Sequence, residues 1–182
     1  MRWAMGTAAA LVLAGDARAE VTEQAPHGFQ VRHVVEVAAP PARVWDALIQ
    51  PGRWWDPEHT WSGAARNLRI EPRPGGCFCE DIPGGGVLHM TVIYVKRDAQ
   101  LDLWGALGPL HFTGADGGMS IKLAPAGQGT RVEMTYTVGG FDRGGLQKWT
   151  GPVDGVLETQ FTRLKRYVET GSPSPPTPSA PR

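Results

Sequence analysis

The chain of 182 residues carries 18 basic and 18 acidic side chains, so its formal net charge is zero. Proteins that bind nucleic acids usually carry a basic surplus that neutralises phosphates, and this balance argues against such a partner. Hydrophobic residues make up 41% and charged residues 20% of the chain, a globular rather than disordered composition. Two cysteines are too few for a disulfide-stapled scaffold. We expect one globular domain.

The N-terminus is typical of an export signal over residues 1–19. Arg2 precedes an apolar stretch that is shorter than the roughly 20 residues needed to span a bilayer. Ala17-Arg18-Ala19 then supplies the small-x-small pattern that a signal peptidase recognises. A buried N-terminal helix is the alternative. The signal predicts a periplasmic or secreted protein, without stable membrane insertion once it is cleaved.

Two further segments are predicted to lie outside the folded domain. Residues 20–27 are predicted to be a linker that leads into a domain over residues 28–170. Residues 171–182 are rich in proline and serine and contain no large apolar side chain. Such a segment cannot bury enough surface to offset its loss of conformational entropy, so a disordered tail is predicted.

Between these ends the sequence predicts strands, a short helix, more strands and a long final helix. An alternating, β-branched pattern predicts a first strand over residues 30–38, and Pro41 can open a helix over about 42–49. The Trp-dense segment 53–63 is predicted to be a loop with one helical turn. Further strands are predicted over residues 68–71, 77–82, 87–96, 101–104, 119–124 and 131–138.

The last predicted element is an amphipathic helix. Apolar residues recur at helical spacing from Leu146 to Val168, and Pro152 marks either the start of the helix or a kink. Strands followed by a long C-terminal helix predict the α+β class, with an antiparallel sheet wrapped around that helix.

Three motifs make the chain resemble a known superfamily. They are Val37–Leu48, the pair Trp54-Trp55 followed by Pro72–Gly76, and Leu164–Val168. With them the chain resembles the START-like helix-grip superfamily (SRPBCC) of polyketide cyclases and lipid-transfer domains. Within it, the chain is most similar to the branch named after activators of a heat-shock chaperone's ATPase. The resemblance implies a curved antiparallel sheet of about six to seven strands, two short helices after the first strand, and an apolar internal cavity.

The tryptophan content agrees with a cavity for a small hydrophobic molecule. Six of the seven tryptophans lie in the predicted domain. An indole buries a large apolar area and keeps one hydrogen-bond donor, which suits a pocket for a flat or alicyclic ligand; filling of the core is the alternative. The residues predicted to bind the ligand are Trp45, Trp55, Trp61, Cys79, Met90, Met134, Tyr136 and Trp149.

The most distinctive polar residues are Glu80 and His89. If a four-residue turn joins their strands, Glu80 lies directly opposite His89 and Cys79 lies opposite Met90, although a slip of one residue would change these pairs. A carboxylate beside an imidazole suits general acid–base chemistry. The plainer interpretation is a surface ion pair across two strands.

The two cysteines favour neither a metal site nor a disulfide. The same register places Cys77 and Cys79 on the face opposite His89, and no second pair of ligands follows at metal-binding spacing. Extended residues two apart have Cα atoms roughly 6.5–7 Å apart, at the limit for a disulfide. Both thiols are expected to line the core or the pocket, and no metal or other cofactor is predicted.

Three functions follow from these observations. The leading hypothesis is an exported, non-catalytic carrier or sensor that binds a small hydrophobic molecule. The alternative is an enzyme of cyclase, dehydratase or hydrolase type that uses His89 with Glu80, or His59 of the Trp-dense loop, as acid–base groups. A third is a chaperone-interaction module, suggested by the branch name and opposed by the export signal. The ligand and the oligomeric state stay open.

Overall fold

The computed structural model describes residues 18–175, which form one antiparallel sheet and two α-helices. The strands are β1 Arg18–Ala25, β2 Gly28–Val37, β3 Leu68–Ile70, β4 Cys77–Ile82, β5 Gly85–Lys96, β6 Gln100–Trp104, β7 Gly114–Ala126 and β8 Gly129–Phe141. The helices are α1 Pro41–Leu48 and α2 Thr150–Thr170. Single helical turns occupy Pro51–Arg53, Pro57–His59, Ala65–Asn67, Gly108–Phe112 and Leu146–Trp149. The strand order is β1-β2-β8-β7-β6-β5-β4-β3.

The predicted α+β fold, a large antiparallel sheet around the C-terminal helix, is confirmed, with eight strands instead of six to seven. The extra strand is β1. Residues 20–27 were predicted to be a linker, and this is wrong because most of them pair with β2, up to Ala25↔Gly28. The large apolar side chain of β1, Val21, is 40% exposed. Backbone pairing rather than burial therefore forms this edge strand, and a hydrophobic pattern does not reveal it.

Both predicted terminal segments extend beyond the described residues. Of the predicted export signal, residues 1–17 lie outside them, as do residues 176–182 of the predicted tail. The start of the tail follows α2 closely, because Arg166 donates a hydrogen bond to the carbonyl of Ser174 at 2.7 Å. No helix within residues 18–175 has both the length and the apolar run needed to cross a membrane.

The core lies between the concave face of the sheet and α2. Alternate residues of β2 and β8 point into it, and among them Val31, Val132 and Met134 are completely buried. From α2, Leu164 and the residues one helical turn to either side face the same layer. α1 closes one end of this layer with Trp45, which is 1% exposed.

The residues at the two ends of α2 explain where the helix begins and ends. The turn Leu146–Trp149 leads directly into α2, so Pro152 lies in its first turn, where a missing backbone N–H costs no hydrogen bond. At the other end, Gly171 adopts a φ of 79°, and its N–H caps the carbonyl of Tyr167. Only glycine takes this left-handed conformation without strain, which ends the helix here.

Candidate functional site

A cavity of about 390 Å³ opens between the sheet and the N-terminal half of α2. Its walls come from four parts of the chain: residues 55–61 of the Trp-dense loop 53–63, the strands β3 to β5, the segment 107–110, and α2 together with the turn before it. Pro152, Val153 and Val156 form the helical wall, because three- and four-residue steps place them on one face. The cavity falls in the range of small-molecule sites.

The lining changes from exposed at one end to buried at the other. The exposed lining residues, at the mouth, are Glu58, His59, Trp61, Pro109 and Pro152. The buried lining residues, at the floor, are Leu68, Phe78, His89, Leu110 and Leu157. The floor is therefore apolar except for one imidazole. Phe78 packs against that imidazole with ring centroids 5.0 Å apart.

The Trp-dense loop is held to α2 by two polar side chains of that helix. Gln160 is fully buried; its oxygen accepts from the backbone N–H of Asp56 at 2.8 Å, and its nitrogen lies 2.9 Å from Nδ1 of His59. Arg163 Nε donates to the carbonyl of Trp54 at 2.9 Å. These bonds fix the first half of the loop, and with it the position of Trp55.

Glu80 holds the second half of the same loop. Its side chain is 0% exposed and accepts hydrogen bonds from the backbone N–H groups of Trp61 at 3.1 Å and Ser62 at 2.5 Å. A third hydrogen bond joins its Oε2 to Nε2 of His89 at 3.0 Å. The carboxylate therefore fixes the loop at the mouth and the imidazole at the floor together.

The wall formed by residues 107–110 is anchored by Tyr136. Its hydroxyl donates to the carbonyl of Gly105 at 2.9 Å and accepts from the N–H of Leu107 at 3.1 Å. Burial raises the pKa of Tyr136 above its ordinary value, so the hydroxyl stays protonated and can donate. A core side chain thus positions a segment of the cavity wall.

The position of His89 comes from a β-bulge. The turn between β4 and β5 has two residues instead of the predicted four, because Ile82 pairs with Gly85. Glu80 then pairs with Val87, so the predicted register is wrong. His89 lies between two ladder pairs, Cys79↔Leu88 and Phe78↔Met90, without a partner of its own. This extra residue bends β5, and its side chain points inward like that of Met90.

Glu80 and His89 nevertheless contact each other as the sequence predicted. The interpretation of a surface ion pair is wrong, because Glu80 is 0% and His89 6% exposed. Burial alone would raise the pKa of Glu80, but hydrogen bonds from Ser62, Trp61 and His89 outweigh it and hold that pKa below its usual value. Glu80 is therefore an anion near neutral pH.

His89 is neutral under the same conditions. Burial lowers its pKa, and the hydrogen bond and charge of Glu80 oppose this shift without cancelling it. His111, whose ring centroid lies 6.1 Å from that of His89, lowers the pKa further. The site therefore holds one anion with a neutral imidazole in front of it.

The structure divides the predicted ligand-binding residues into three groups. Trp55, Trp61 and Trp149 line the cavity. Trp45, Met90, Met134 and Tyr136 do not: each is at most 1% exposed, sealed inside the core. Cys79, also predicted to line the pocket, does not line it and is bonded to Cys77 instead. Of the predicted acid–base groups, His59 lines the mouth and His89 the floor, while Glu80 lies behind His89.

The prediction that the two cysteines stay unpaired is wrong, since Cys77 and Cys79 form a disulfide. Their Cα atoms are 5.4 Å apart, closer than in the regular extended strand that the prediction assumed. The β4–β5 register shifts at this point, between Phe78 and Cys79, so regular strand spacing does not apply. Alternation along β4 places the disulfide on the face away from Phe78 and Glu80.

Several lining and supporting residues were not predicted. Phe78 precedes Glu80 by two residues in the same strand, so strand alternation places both on one face and could have added Phe78 to the ligand-binding set. Val153 and Val156 belong to the apolar stripe of α2, which the sequence showed without telling which part faces a cavity. The wall 107–110 and the anchor Gln160 carry no periodic signal. Within the described range 18–175, no group of three or more His, Cys, Asp or Glu side chains is placed to hold a metal ion.

The comparison with protein families identifies the fold's relatives. A family model described as polyketide cyclase / dehydrase and lipid transport matches residues 28–169. The chain belongs to this family. The resemblance to the START-like helix-grip superfamily is thereby confirmed. None of the curated proteins matches the chain.

Solved structures share the fold of this family member at low sequence identity. An uncharacterised protein from Rhizobium leguminosarum is 18% identical with a TM-score of 0.60, and the match covers 85% of this chain and 98% of that one. CalU16 from Micromonospora echinospora is 17% identical with a TM-score of 0.57 and 88% coverage of both chains. Aha1 from Colwellia psychrerythraea, solved as a dimer, is 16% identical with a TM-score of 0.55, covering 78% and 97%. These likenesses concern the fold alone.

Proposed function

We propose that this protein binds a small hydrophobic molecule in the cavity and acts as a carrier or sensor for it. The observation that carries the proposal is the apolar cavity of about 390 Å³, whose lining runs from an exposed mouth to a buried floor. A cavity of about 150 Å³ already holds benzene, so this one accommodates a body of two or more fused rings. The family's description, which includes lipid transport, fits such a role.

The proposal includes export to the periplasm or the exterior. It rests on the predicted signal over residues 1–19, and the Cys77–Cys79 disulfide suits an oxidising compartment. Cleavage after Ala19 leaves residues 20–25 of β1 paired with β2. Mass spectrometry of the protein from fractionated cells tests this part. An N-terminus at Glu20 in the periplasmic fraction supports export, and an uncleaved cytoplasmic chain overturns it.

Binding is tested with the neutral fluorescent probe N-phenyl-1-naphthylamine and a variant that fills the cavity. Val156 lines the cavity on α2, so Val156→Trp places an indole inside it. The matched control is Thr162→Trp, on an exposed position of the same helix. We expect Val156→Trp to weaken probe binding more than tenfold while the control binds as the unchanged protein does. No saturable binding, or equal binding by both variants, contradicts the proposal.

A second candidate function is proton-transfer chemistry of cyclase or dehydratase type. The observation in its favour is that His89, at the buried floor, is paired with the anionic Glu80, an arrangement suited to a general base. His59 lies at the exposed mouth with Nδ1 beside Gln160, which makes it the weaker candidate base.

Conversion of an aromatic β-hydroxyketone to the enone, followed by absorbance, tests whether the protein is such an enzyme. Loss of about 10²–10⁴-fold in turnover by His89→Phe, with probe binding kept, supports an enzyme. Equal turnover by the variant, or none by the unchanged protein, argues against one.

A further inference from the structure

The hydrogen bond to Glu80 fixes where the proton of His89 lies. Glu80 is an anion, and an ionised carboxylate only accepts hydrogen bonds. The 3.0 Å contact between Oε2 of Glu80 and Nε2 of His89 therefore requires the proton on Nε2. In a neutral imidazole the other nitrogen then carries a lone pair and accepts. Nδ1 of His89 is thus a hydrogen-bond acceptor.

This acceptor has no partner within residues 18–175. None of the hydrogen bonds among these residues involves Nδ1 of His89, and Nδ1 is not among their fully enclosed polar atoms that lack a partner. The side chain keeps 7% of its surface exposed and lines the cavity. The free nitrogen is therefore open to a molecule inside the cavity. The other buried residues that line the floor, Leu68, Phe78, Leu110 and Leu157, carry no side-chain donor.

The charges around the cavity act against an acidic ligand. Among residues 18–175, no lysine or arginine lines the cavity, and Glu58 at the mouth is the one ionisable lining residue besides the histidines. Behind the floor lies the anion of Glu80. A carboxylate on the ligand would lose its hydration and meet negative charge without a cation to pair with. A fatty acid or another apolar carboxylate is therefore a poor ligand.

Resting on the proposed ligand binding, we propose that the ligand is a neutral alcohol or phenol whose hydroxyl donates a hydrogen bond to Nδ1 of His89. The apolar body of the ligand occupies the space between α2 and the Trp-dense loop, with Trp55 and Trp149 on its sides. The hydroxyl points to the floor, where Nδ1 is the free acceptor. The hydrogen bond sets the orientation of the ligand, and apolar contact supplies most of its affinity.

Three compounds on the same naphthalene skeleton test this proposal by displacement of the fluorescent probe. They are 2-naphthol, which donates a hydrogen bond, 2-fluoronaphthalene, which does not, and 2-naphthoate, which is an anion. We expect 2-naphthol to bind about three- to tenfold tighter than 2-fluoronaphthalene, the range of one net hydrogen bond. We expect 2-naphthoate to bind more weakly than either.

Two variants at one position separate the hydrogen bond from the apolar contact. His89→Phe keeps a ring at the floor without the acceptor, so the preference for 2-naphthol disappears while 2-fluoronaphthalene still binds. His89→Gln offers an amide oxygen and is expected to restore part of the preference. If none of the compounds binds the unchanged protein, the proposed function fails. If they bind but 2-naphthol has no advantage, if its advantage survives His89→Phe, or if 2-naphthoate binds tightest, the present inference alone is wrong.

NMR spectroscopy of the unchanged protein tests the same hydrogen bond without any variant. The ¹⁵N chemical shifts of an imidazole distinguish the protonated nitrogen from the one with a free lone pair. We expect the spectrum of His89 near neutral pH to show the proton on Nε2, and addition of 2-naphthol to shift the Nδ1 signal. A proton on Nδ1, or an Nδ1 signal unmoved at saturating 2-naphthol, overturns the proposal.

Discussion

The two halves of the sheet differ in how regularly their strands pair. In β2, β8 and β7, the pairing runs from Gly28↔Gly139 to Val37↔Thr130 and along the whole β7–β8 hairpin without a register shift. In β4, β5 and β6, the register shifts twice, at Phe78/Cys79 and at Val92/Tyr94. We call the first the solid half, because its buried side chains join those of the C-terminal part of α2 in the apolar core. We call the second the cavity half, because β4 and β5 carry the floor of the cavity.

The contrast shows how one sheet provides both stability and a site. Regular alternation in the solid half supplies a continuous apolar layer, so stability comes from burial. Around the cavity, buried polar groups from both halves and from α2 hold the walls in place: Glu80 and Gln160 fix the loop, and Tyr136 of β8 fixes the segment 107–110. Space for a ligand is kept open by hydrogen bonds where side chains do not fill it.

The largest expected difference between the halves comes from one substitution made at two places in α2. Leu164 is 0% exposed where α2 packs against the solid half, whereas Leu157, 1% exposed, lines the cavity. We expect Leu164→Ala to lower the free energy of unfolding by about 3–5 kcal/mol and Leu157→Ala by about 1 kcal/mol less, because Leu157 already borders empty space. Urea denaturation measures both. Equal losses would show that the cavity does not weaken packing on its side of α2.

The next largest effect concerns Glu80. Replacement of Glu80 by alanine leaves the backbone N–H groups of Trp61 and Ser62 without an acceptor, and we expect a loss of about 2–3 kcal/mol. Asp81 is the matched control. It is exposed in the same strand and pairs with Arg69 on the surface, so Asp81→Ala is expected to cost under about 1 kcal/mol. Thermal and urea unfolding compare the two variants, and similar losses contradict the anchoring role of Glu80.

A smaller effect follows from pH. Burial lowers the pKa of His89 and of His33 below their ordinary value of 6.5. Below pH 6.5 the unfolded chain therefore binds protons that the native protein resists. The contribution of these two histidines to the free energy of unfolding is therefore fully present above pH 6.5. It is lost as the pH falls from 6.5 through their lowered pKa in the folded protein. We expect the urea midpoint to drop between pH 7.5 and pH 5, and to drop less in His89→Phe. The same drop in both proteins would exclude His89 as a cause.

The smallest effect is a gain in stability at the start of α2. Gly155 is exposed, and a Cβ added there meets no atom within 4 Å. Gly155→Ala is expected to stabilise the protein by about 0.5–1 kcal/mol, since alanine loses less backbone entropy in a helix. Gly140 is the contrasting position, because its φ is +133° and a Cβ would lie 2.3 Å from the carbonyl oxygen of Gly114. Gly140→Ala is therefore expected to destabilise, and a melting temperature that moves the same way in both variants contradicts this account.

Much of the fold could be predicted because its signals are local. The alternation of Val132, Met134 and Tyr136 with polar neighbours marks β8, and the stripe along α2 marks the helix that the sheet surrounds. β1 could not be predicted, since its side chains are mostly polar and backbone pairing with β2, rather than burial of apolar side chains, holds it in the sheet.

The site was predicted less completely, and the reason differs between residues. Trp55, Trp61 and Trp149 line the cavity as aromatic content suggested, yet Trp45 and Tyr136 carry the same kind of signal and are buried in the core. Side-chain chemistry alone does not separate these groups. Only the curvature of the sheet and the position of α2 decide which apolar side chains border empty space.

The pair Glu80 and His89 shows most clearly what the sequence determines and what the tertiary structure adds. The sequence by itself determined that a carboxylate and an imidazole lie on neighbouring strands, because a short turn joins them. The tertiary structure decided everything else about them. A two-residue turn and a bulge bring His89 to the floor, and the loop over Glu80 removes both groups from water. Burial and hydrogen bonds, which depend on distant segments, convert an ordinary ion pair into a fixed acceptor inside an apolar cavity.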